Sequence, residues 1–195
     1  MDLIVASALL VVLSPLLMLV ALLIRIESSG SVLFRQTRIG LGGTQFTVLK
    51  FRSMRSDADP EVHREFLENQ RTCAAELTYH KVQRDERVTR LGAVIRRLSI
   101  DELPQLINVL RREMSLVGPR PDVPYSLEHY EPRHFERFSV LPGLTGLWQV
   151  SGRSALSYQE MLELDLQYAR TWTFRTDLRL LLRTVPEVFK PERAG

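Results

Sequence analysis

Residues 3–24 read LIVASALLVVLSPLLMLVALLI, an apolar run interrupted only by Ser7, Ser14 and Pro15. As a helix this run would be about 33 Å long, enough to cross the ~30 Å hydrocarbon core of a bilayer. It is too long for the core of a signal peptide, and it has neither a basic segment before it nor a clear small-residue cleavage site after it. A helix buried in a protein core is the alternative, but such a helix should carry a polar stripe, which this run lacks. The sequence therefore predicts a membrane helix.

The Ser14-Pro15 pair lies near the middle of this helix and predicts a bend. Pro15 has no N–H to donate and clashes with the carbonyl four residues earlier, and the Ser14 hydroxyl can partly satisfy that carbonyl. Two topologies follow. A straight span would place Met1 outside and the rest of the chain inside, because arginines such as Arg25 and Arg35 follow the run. A sharply bent helix would instead re-enter one leaflet and leave both ends in the cytoplasm.

The rest of the chain is basic and has the composition of a globular domain. The 195 residues include 26 Lys and Arg against 23 Asp and Glu, and every Lys or Arg lies at Arg25 or later. This length suggests one compact domain with an appendage, so we place the membrane helix in residues 1–26 and a cytoplasmic domain in residues 27–195. Cys73 is the single cysteine, which excludes an internal disulfide and fits a reducing compartment.

Downstream of the membrane run, the patterns predict a mainly α fold with one small β-hairpin. The hairpin combines short strands at residues 32–34 and 45–49 with a glycine-rich turn at 40–43. Residues 117–124 are proline-rich and irregular, and residues 142–154 form a predicted loop. Helices are predicted at residues 59–71, 91–97, 103–112, 158–170 and 172–189.

The last predicted helix is amphipathic and basic. Arg175, Arg179 and Arg183 repeat every four residues on one face, apolar residues fill much of the other, and Trp172 stands at its start. This pattern fits a helix that lies on an anionic membrane surface. An ordinary surface helix that packs on the core explains it equally well.

The densest group of candidate catalytic residues begins at residues 96–105, RRLSIDELPQ. Pro104 is well placed to open a helix, so Asp101 and Glu102 fall at or just before a helix N-terminus, which favours negative charge. Two adjacent carboxylates need a cation nearby, and the candidates are Arg96, Arg120 and a divalent ion. Mg²⁺ usually takes one or two carboxylates together with substrate phosphates, and a carboxylate can also act as a nucleophile on phosphorus.

Each of these features has a purely structural alternative. Ser99-x-x-Glu102 also matches a capping box, with Asp101 compensating the helix dipole. The Pro119-Arg120-Pro121 triplet stiffens the backbone and fixes the direction of the arginine, which suits phosphoryl transfer, although a rigid surface turn is the alternative.

The predicted loop at residues 142–154, PGLTGLWQVSGRS, combines flexible glycines with side chains that suit a nucleotide or a sugar phosphate. It matches neither a Walker A motif nor a dinucleotide fingerprint. Its candidate binding residues are Thr145, Gln149, Ser151 and Arg153.

Six segments, in order, resemble motifs of the bacterial sugar transferases, also called monotopic phosphoglycosyl transferases, and the likeness covers nearly the whole chain. Six motifs in a fixed order argue against chance. They are the apolar run with Ser14-Pro15, Phe34-x-Gln36-x-Arg38-x-Gly40, Lys50-Phe51-Arg52-Ser53-Met54, Ser99-x-Asp101-Glu102-Leu103-Pro104-Gln105, Gly118-Pro119-Arg120-Pro121 and Pro142-Gly143-x-Thr145-Gly146-Leu147-Trp148-Gln149-Val150-Ser151-Gly152-Arg153.

The resemblance implies transfer of a sugar 1-phosphate from a UDP-sugar to a polyprenyl phosphate such as undecaprenyl phosphate. UMP is released, and the product starts a surface glycan such as an exopolysaccharide, O-antigen or capsule. The resemblance makes Asp101 the covalent nucleophile and associates Glu102 with a Mg²⁺ cofactor. The residues it suggests for substrate phosphate are Arg96, Arg120, Lys50 and Arg52.

The resemblance also implies a location, the cytoplasmic face of the bacterial inner membrane. The helix would be re-entrant and broken at Ser14-Pro15, and interfacial amphipathic helices would contact membrane lipid. No nucleic acid partner is expected, and a homodimer is left open. The polar insert at residues 59–87 is long, as in members that transfer hexose 1-phosphates, which favours galactose or glucose. A membrane-bound scaffold of the same fold without turnover is the alternative, and the intact Asp101-Glu102 pair and Arg120 argue against it.

Two positions depart from the family pattern. The chain opens with Met1-Asp2, where a basic residue or two commonly precede the apolar run, and Ser154 stands where an asparagine is often found. The second difference puts local sugar contacts in doubt and leaves the core chemistry unchanged.

Overall fold

The computed structural model describes residues 1–55, 87–152 and 156–188, which are mostly helical with two small sheets. This confirms a mainly α protein with a small hairpin and an N-terminal apolar helix. The helices are α1 (Asp2–Glu27), α2 (Arg90–Arg97), α3 (Gln105–Leu110), α4 (Leu147–Ser151), α5 (Tyr158–Thr171) and α6 (Phe174–Val188). The strands are β1 (Leu33–Ile39), β2 (Gln45–Phe51), β3 (Ser115–Val117) and β4 (Gly143–Thr145), and short 3₁₀ turns lie at Leu41–Gly43, Ile100–Glu102, Pro124–His129 and Pro132–Ser139.

Helix α1 is long and apolar enough to cross a membrane, and only 11% of its most apolar stretch is buried within the protein. A helix buried in the protein core is therefore the wrong interpretation. The predicted break at Ser14-Pro15 does not interrupt the helix, which is continuous through Pro15 because its neighbours keep helical geometry around the missing hydrogen bond. The Ser14 hydroxyl donates to the carbonyl of Val11 over 2.8 Å, and this carbonyl is the one that Pro15 leaves without its helical donor. The predicted compensation by Ser14 is thus present.

Both ends of α1 contact the rest of the protein. At the start of the helix, the Ser115 hydroxyl donates to the Asp2 carboxylate over 2.6 Å, and Ala6 is completely buried in the main core cluster. Near the end, Ile24 is buried in a second apolar cluster with the end of β2 and with α2. The Glu27 carboxylate accepts a hydrogen bond from a backbone amide in the first turn of α2, 3.0 Å away. The helix therefore lies along the domain rather than projecting away from it.

Strands β1 and β2 form the predicted antiparallel hairpin, with Ile39 paired to Gln45 next to the turn. The strands are longer than predicted. Gly42 and Gly43 adopt positive φ angles of 63° and 78°, which glycine tolerates without steric cost. The hairpin is joined to α3 by Asn108, whose side chain accepts from an amide of β2 and donates to a carbonyl of β2 over 3.1 and 2.7 Å.

A short parallel pair, β3 and β4, was not predicted. It aligns Ser115 with Gly143 and brings residues 142–146 against the segment that follows β3. The prediction of a flexible loop at residues 142–154 is wrong in its described part, which contains β4 and α4. A Cβ atom at Gly143 or Gly146 would overlap the backbone of Gly118, so these glycines are required for close packing.

The other predicted helices that fall within the described residues are present with shifted ends. The helix predicted at 103–112 begins as a 3₁₀ turn and continues as the shorter α3. Helix α6 buries Leu180 in the core. It also leaves a row of large apolar residues outward, together with Trp172 just before the helix: Phe174, Leu178, Leu182 and Val185. The predicted polar helix at 59–71, most of the polar insert and Cys73 lie outside the described residues.

Candidate active site

The Asp101-Glu102 pair is placed by a tight reversal between α2 and α3. Ser99 sits at the corner with a positive φ of 55°, a strained conformation for a non-glycine residue. The pair occupies the 3₁₀ turn that follows, and Pro104 caps α3. The capping-box interpretation is wrong, because Ser99 makes no side-chain capping bond at this described turn and the Glu102 carboxylate binds two cations instead.

Glu102, Lys50 and Arg120 form the cluster that we call the Glu102 clasp. One Glu102 oxygen accepts from Lys50 Nζ over 2.8 Å and from Arg120 Nη2 over 2.6 Å. The second oxygen lies 3.4 Å from Arg120 Nη1. Two parallel N–H bonds from one guanidinium are the strong, directional form of this contact. The clasp joins β2, the 3₁₀ turn and the segment after β3, so three predicted residues from separate parts of the chain converge.

The two adjacent carboxylates have opposite electrostatic environments. Burial opposes ionisation of Glu102, but the charges of Arg120 and Lys50 outweigh it and hold the pKa of Glu102 well below its usual range. Burial raises the pKa of Asp101, and the neighbouring Glu102 charge raises it further. Paired groups whose pKa values are pushed apart are typical of sites in which each group has a different role.

The other predicted phosphate-binding arginines differ in position. Arg96 lies in the last turn of α2, and its charge opposes the rise that burial causes in the pKa of Asp101, so it lies within electrostatic reach of the pair. Arg52 is directed elsewhere. Its guanidinium donates to the carbonyls of Ser28 and Ser29 over 2.8 Å each, so it binds the backbone just after α1. No contact described for Arg52 supports the prediction that it binds substrate phosphate.

The predicted nucleotide-sugar residues lie in and beside β4 and α4. Thr145 is buried, and its hydroxyl is 2.8 Å from that of Thr184 on α6. Gln149 is also buried, whereas Ser151 is exposed at the end of α4. Arg153 lies outside the described residues. The structure therefore gives Thr145 a packing role behind the Arg120 segment, and a sugar contact for these residues stays a prediction.

Sequence analysis missed a second, buried cluster, which we call the Arg137 anchor. It consists of Arg137, Asp122, Asp165, Tyr130 and Tyr158. The side chains of Arg137 and Asp165 are only 4% and 2% exposed. Asp122 accepts hydrogen bonds from Tyr130 and Tyr158 over 2.8 and 2.9 Å. A charged residue in the segment HFERFS has no local signal that distinguishes it from a surface residue.

A metal site made wholly of protein ligands is not present in the described part of the chain, where no three His, Cys, Asp or Glu side chains converge. The Asp101-Glu102 pair offers two carboxylates. This set fits Mg²⁺ only as an ion shared with substrate phosphates, which is how Mg²⁺ is usually bound. The arrangement as a whole can attract a diphosphate to Lys50 and Arg120 and present a carboxylate to its phosphorus.

The bacterial sugar transferase family profile matches residues 1–191. The chain is 42% identical over 187 residues to the exopolysaccharide production protein ExoY of Rhizobium meliloti, covering 96% of this chain and 83% of that protein. It is 42% identical over 204 residues to the UDP-glucose:undecaprenyl-phosphate glucose-1-phosphate transferase of Caulobacter vibrioides, covering 100% and 70%.

A more distant match is the UDP-galactose-lipid carrier transferase of Erwinia amylovora, 39% identical over 99% of this chain but only 40% of that protein. The residues matched by the family profile include α1, the hairpin, the acidic pair and the Arg120 segment. This chain belongs to the bacterial sugar transferase family.

Proposed function

We propose that this protein transfers a sugar 1-phosphate from a UDP-sugar to undecaprenyl phosphate and releases UMP. The observation that carries the proposal is the Glu102 clasp beside Asp101, which places two cations and a second carboxylate at one point. The relatives named for UDP-glucose and UDP-galactose support glucose or galactose as the sugar. The product would start an exopolysaccharide, O-antigen or capsule.

The reaction proceeds in two displacements at Asp101. A carboxylate oxygen of Asp101 forms a bond to the sugar-bearing phosphorus, the bond from that phosphorus to the bridging oxygen breaks, and UMP leaves with the electron pair. An oxygen of undecaprenyl phosphate then attacks the phospho-aspartate and restores the free carboxylate. This order lets a water-soluble donor and a membrane-bound acceptor use one nucleophile in turn.

Lys50 and Arg120 stabilise the charge that develops on the phosphate oxygens during each displacement. Both already bind a carboxylate at hydrogen-bond distance, so donors positioned for an anion are in place before substrate arrives. Glu102 and the substrate phosphates are the groups that would hold Mg²⁺. Bound there, Mg²⁺ would supply further neutralisation of the diphosphate.

We place the protein at the cytoplasmic face of the inner membrane, with α1 re-entrant in one leaflet. Contacts from both Asp2 and Glu27 to the domain support this arrangement, because a straight span would carry one end of α1 to the opposite face. The outward apolar row of α6 and its arginines support contact with an anionic surface. The same leaflet holds the lipid phosphate.

UMP release tests the reaction. The purified protein is incubated with a panel of UDP-sugars, undecaprenyl phosphate and Mg²⁺, and we expect release with UDP-glucose or UDP-galactose. Asp101→Asn should lower the rate by at least about 10³-fold, because the nucleophile is lost. The matched control Glu163→Gln, at an exposed acid of α5, should keep wild-type rates.

Two results would contradict the proposal. Release from no donor by folded, membrane-bound protein would favour the scaffold without turnover. A phosphosugar adduct that still forms on Asp101→Asn, detected by mass in the absence of lipid acceptor, would remove Asp101 as the nucleophile.

Cysteine labelling tests the topology. In a Cys73→Ser background, Leu3→Cys and Ser29→Cys place single thiols near the two ends of α1. We expect both to react with an impermeant reagent from the cytoplasmic side. Reaction of Leu3→Cys from the outside only would rule out the re-entrant helix.

A further inference from the structure

The backbone that carries Arg120 is held by its carbonyl groups. Pro119 and Pro121 have no N–H to donate, so this segment depends on outside donors to be fixed in place. Four consecutive carbonyls each accept a hydrogen bond. The donors are the amide of Gly143 to Pro119 at 2.8 Å, Arg137 Nη2 to Arg120 at 2.8 Å, Arg38 Nη1 to Pro121 at 3.0 Å, and the amide of Ile39 to Asp122 at 2.8 Å.

Two of these four donors are arginine side chains that come from different elements of the fold. Arg38 comes from β1, and its Nη2 is held by Gln36 Oε1 at 2.6 Å. Arg137 comes from the 3₁₀ turn Pro132–Ser139 and is buried. A guanidinium is a rigid planar fork, so each one transmits its own fixed position to the carbonyl that it contacts.

Arg137 is itself fixed by the anchor around it. Its Nη1 donates to Asp122 over 3.1 Å, and its Nη2 forms a short contact with Asp165 on α5. Its guanidinium also lies 5.9 and 5.8 Å from the ring centres of Tyr130 and Phe138. A buried ion pair is weak support for stability, since apolar residues often replace one without loss. Arg137 contacts both carboxylates and the backbone carbonyl of Arg120 at the same time, so the ion pairs fix the position of that carbonyl.

We propose that Arg137 and Arg38 are positioning residues, which act through the backbone of Pro119–Pro121 to aim the Arg120 guanidinium at substrate phosphate. The inference rests on the proposed function of Arg120. Arg120 is then fixed at both ends: its backbone carbonyl accepts from Arg137, and its guanidinium donates to Glu102. When phosphate replaces Glu102, the hydrogen bonds from Arg137 and Arg38 to the backbone carbonyls keep the guanidinium in place.

A double-mutant cycle between Arg137 and Arg120 tests the proposal. Arg137→Lys keeps the charge but loses the fork, so it cannot reach Asp122, Asp165 and the Arg120 carbonyl together. We expect kcat and kcat/KM for the UDP-sugar to fall together by roughly 10- to 100-fold, the scale of a small misplacement of a reacting group. In an Arg120→Ala background, the same change should cost less than about threefold, because the group it positions is gone.

Arg133→Lys is the matched control. Arg133 lies on the same 3₁₀ turn and also bridges two carboxylates, those of Glu131 and Glu163, but it is exposed. It should keep wild-type kinetics in both backgrounds. Equal losses from Arg137→Lys with and without Arg120, or wild-type kinetics of folded Arg137→Lys, would overturn the proposal.

Two further arms keep the cycle decisive. If Arg137→Lys does not fold, the same double-mutant cycle is measured with Arg38→Lys, which alters the contact to the Pro121 carbonyl. Equal losses of kcat/KM with and without Arg120 would overturn the proposal. The cycle is also measured as affinity for UDP by calorimetry, which needs no turnover. Wild-type protein that binds UDP through Arg120 but releases no UMP would reject the proposed function alone, whereas additive losses of UDP affinity would reject the positioning role.

Discussion

The two charge clusters that contact Arg120, one at its side chain and one at its backbone carbonyl, use the same chemistry in different surroundings. The Glu102 clasp pairs one carboxylate with two cations, and its side chains are 18%, 19% and 35% exposed for Lys50, Glu102 and Arg120. The Arg137 anchor pairs one cation with two carboxylates, and Arg137 is only 4% exposed. Our proposal gives the more exposed clasp the exchange of its carboxylate for substrate phosphate. The buried anchor is closed to substrate, and we propose that it holds the backbone of the Arg120 segment.

The largest expected effect on stability is at the anchor. Arg137→Met leaves Asp122 and Asp165 buried without their shared cation, and such a loss costs about 3–5 kcal/mol of unfolding free energy. Denaturant unfolding in detergent micelles measures it. A change within about 1 kcal/mol of wild type would show that the anchor is not the closed, charge-dependent unit that its geometry indicates.

At the clasp we expect the opposite balance between activity and stability. Arg120→Ala should lower kcat by roughly 10²- to 10³-fold, as removal of one donor to a developing anion does. It should change the unfolding free energy by less than Arg137→Met does, because Lys50 stays on Glu102 and the Arg120 side chain is 35% exposed. UMP release and denaturant unfolding on the same sample separate the two. A large stability loss with intact turnover would reverse the assignment of the two clusters.

The acidic pair was predictable because its chemistry lies in short, local motifs. Asp101, Glu102 and Arg120 each stand in a rigid, proline-marked segment, and Lys50 stands inside a strand. The contacts of Arg52 were not predictable, because it lies just past the end of β2, where strand alternation no longer fixes the direction of a side chain. Its guanidinium instead meets the carbonyls after α1, a tertiary contact with no local signal.

The anchor and the close glycine packing were not predictable for a related reason. Arg137 meets Asp122 and Asp165 from distant parts of the chain, and only the folded arrangement shows that it is buried. Gly143 and Gly146 suggested flexibility, which is the usual interpretation of glycine in a loop. Their actual constraint is the backbone of Gly118, a partner that the sequence does not identify.

A smaller effect depends on pH and on one member of the anchor. Burial raises the pKa of Asp165 to about 6, even though Arg137 opposes the shift. Between about pH 4 and 6 the folded protein then holds a proton that the unfolded chain has released, so this group adds stability as pH falls and loses it as pH rises. The change amounts to at most about 3 kcal/mol across that range.

Asp165→Asn isolates this contribution, because the asparagine does not titrate. We expect the unfolding free energy of wild type, relative to Asp165→Asn, to decrease steadily from pH 4 to pH 7. The contribution of Glu102, which belongs to the other cluster, is common to both proteins and cancels. A difference that stays constant with pH, or grows, would mean that Asp165 is ionised throughout and has an ordinary or lowered pKa.

The smallest effect on stability is expected at Arg133. Comparing it with Arg137 tests whether burial decides how much a charge pair contributes to stability. Arg133 and Arg137 are four residues apart on one 3₁₀ turn, and each pairs with two carboxylates, but the Arg133 side chain is 53% exposed. Solvent screens such pairs, and many contribute nothing measurable. Arg133→Met should leave the unfolding midpoint within about 1 °C of wild type, and added salt should not change this result. A loss comparable to that of Arg137→Met would show that the number of charge pairs, rather than their burial, sets the stability of this turn.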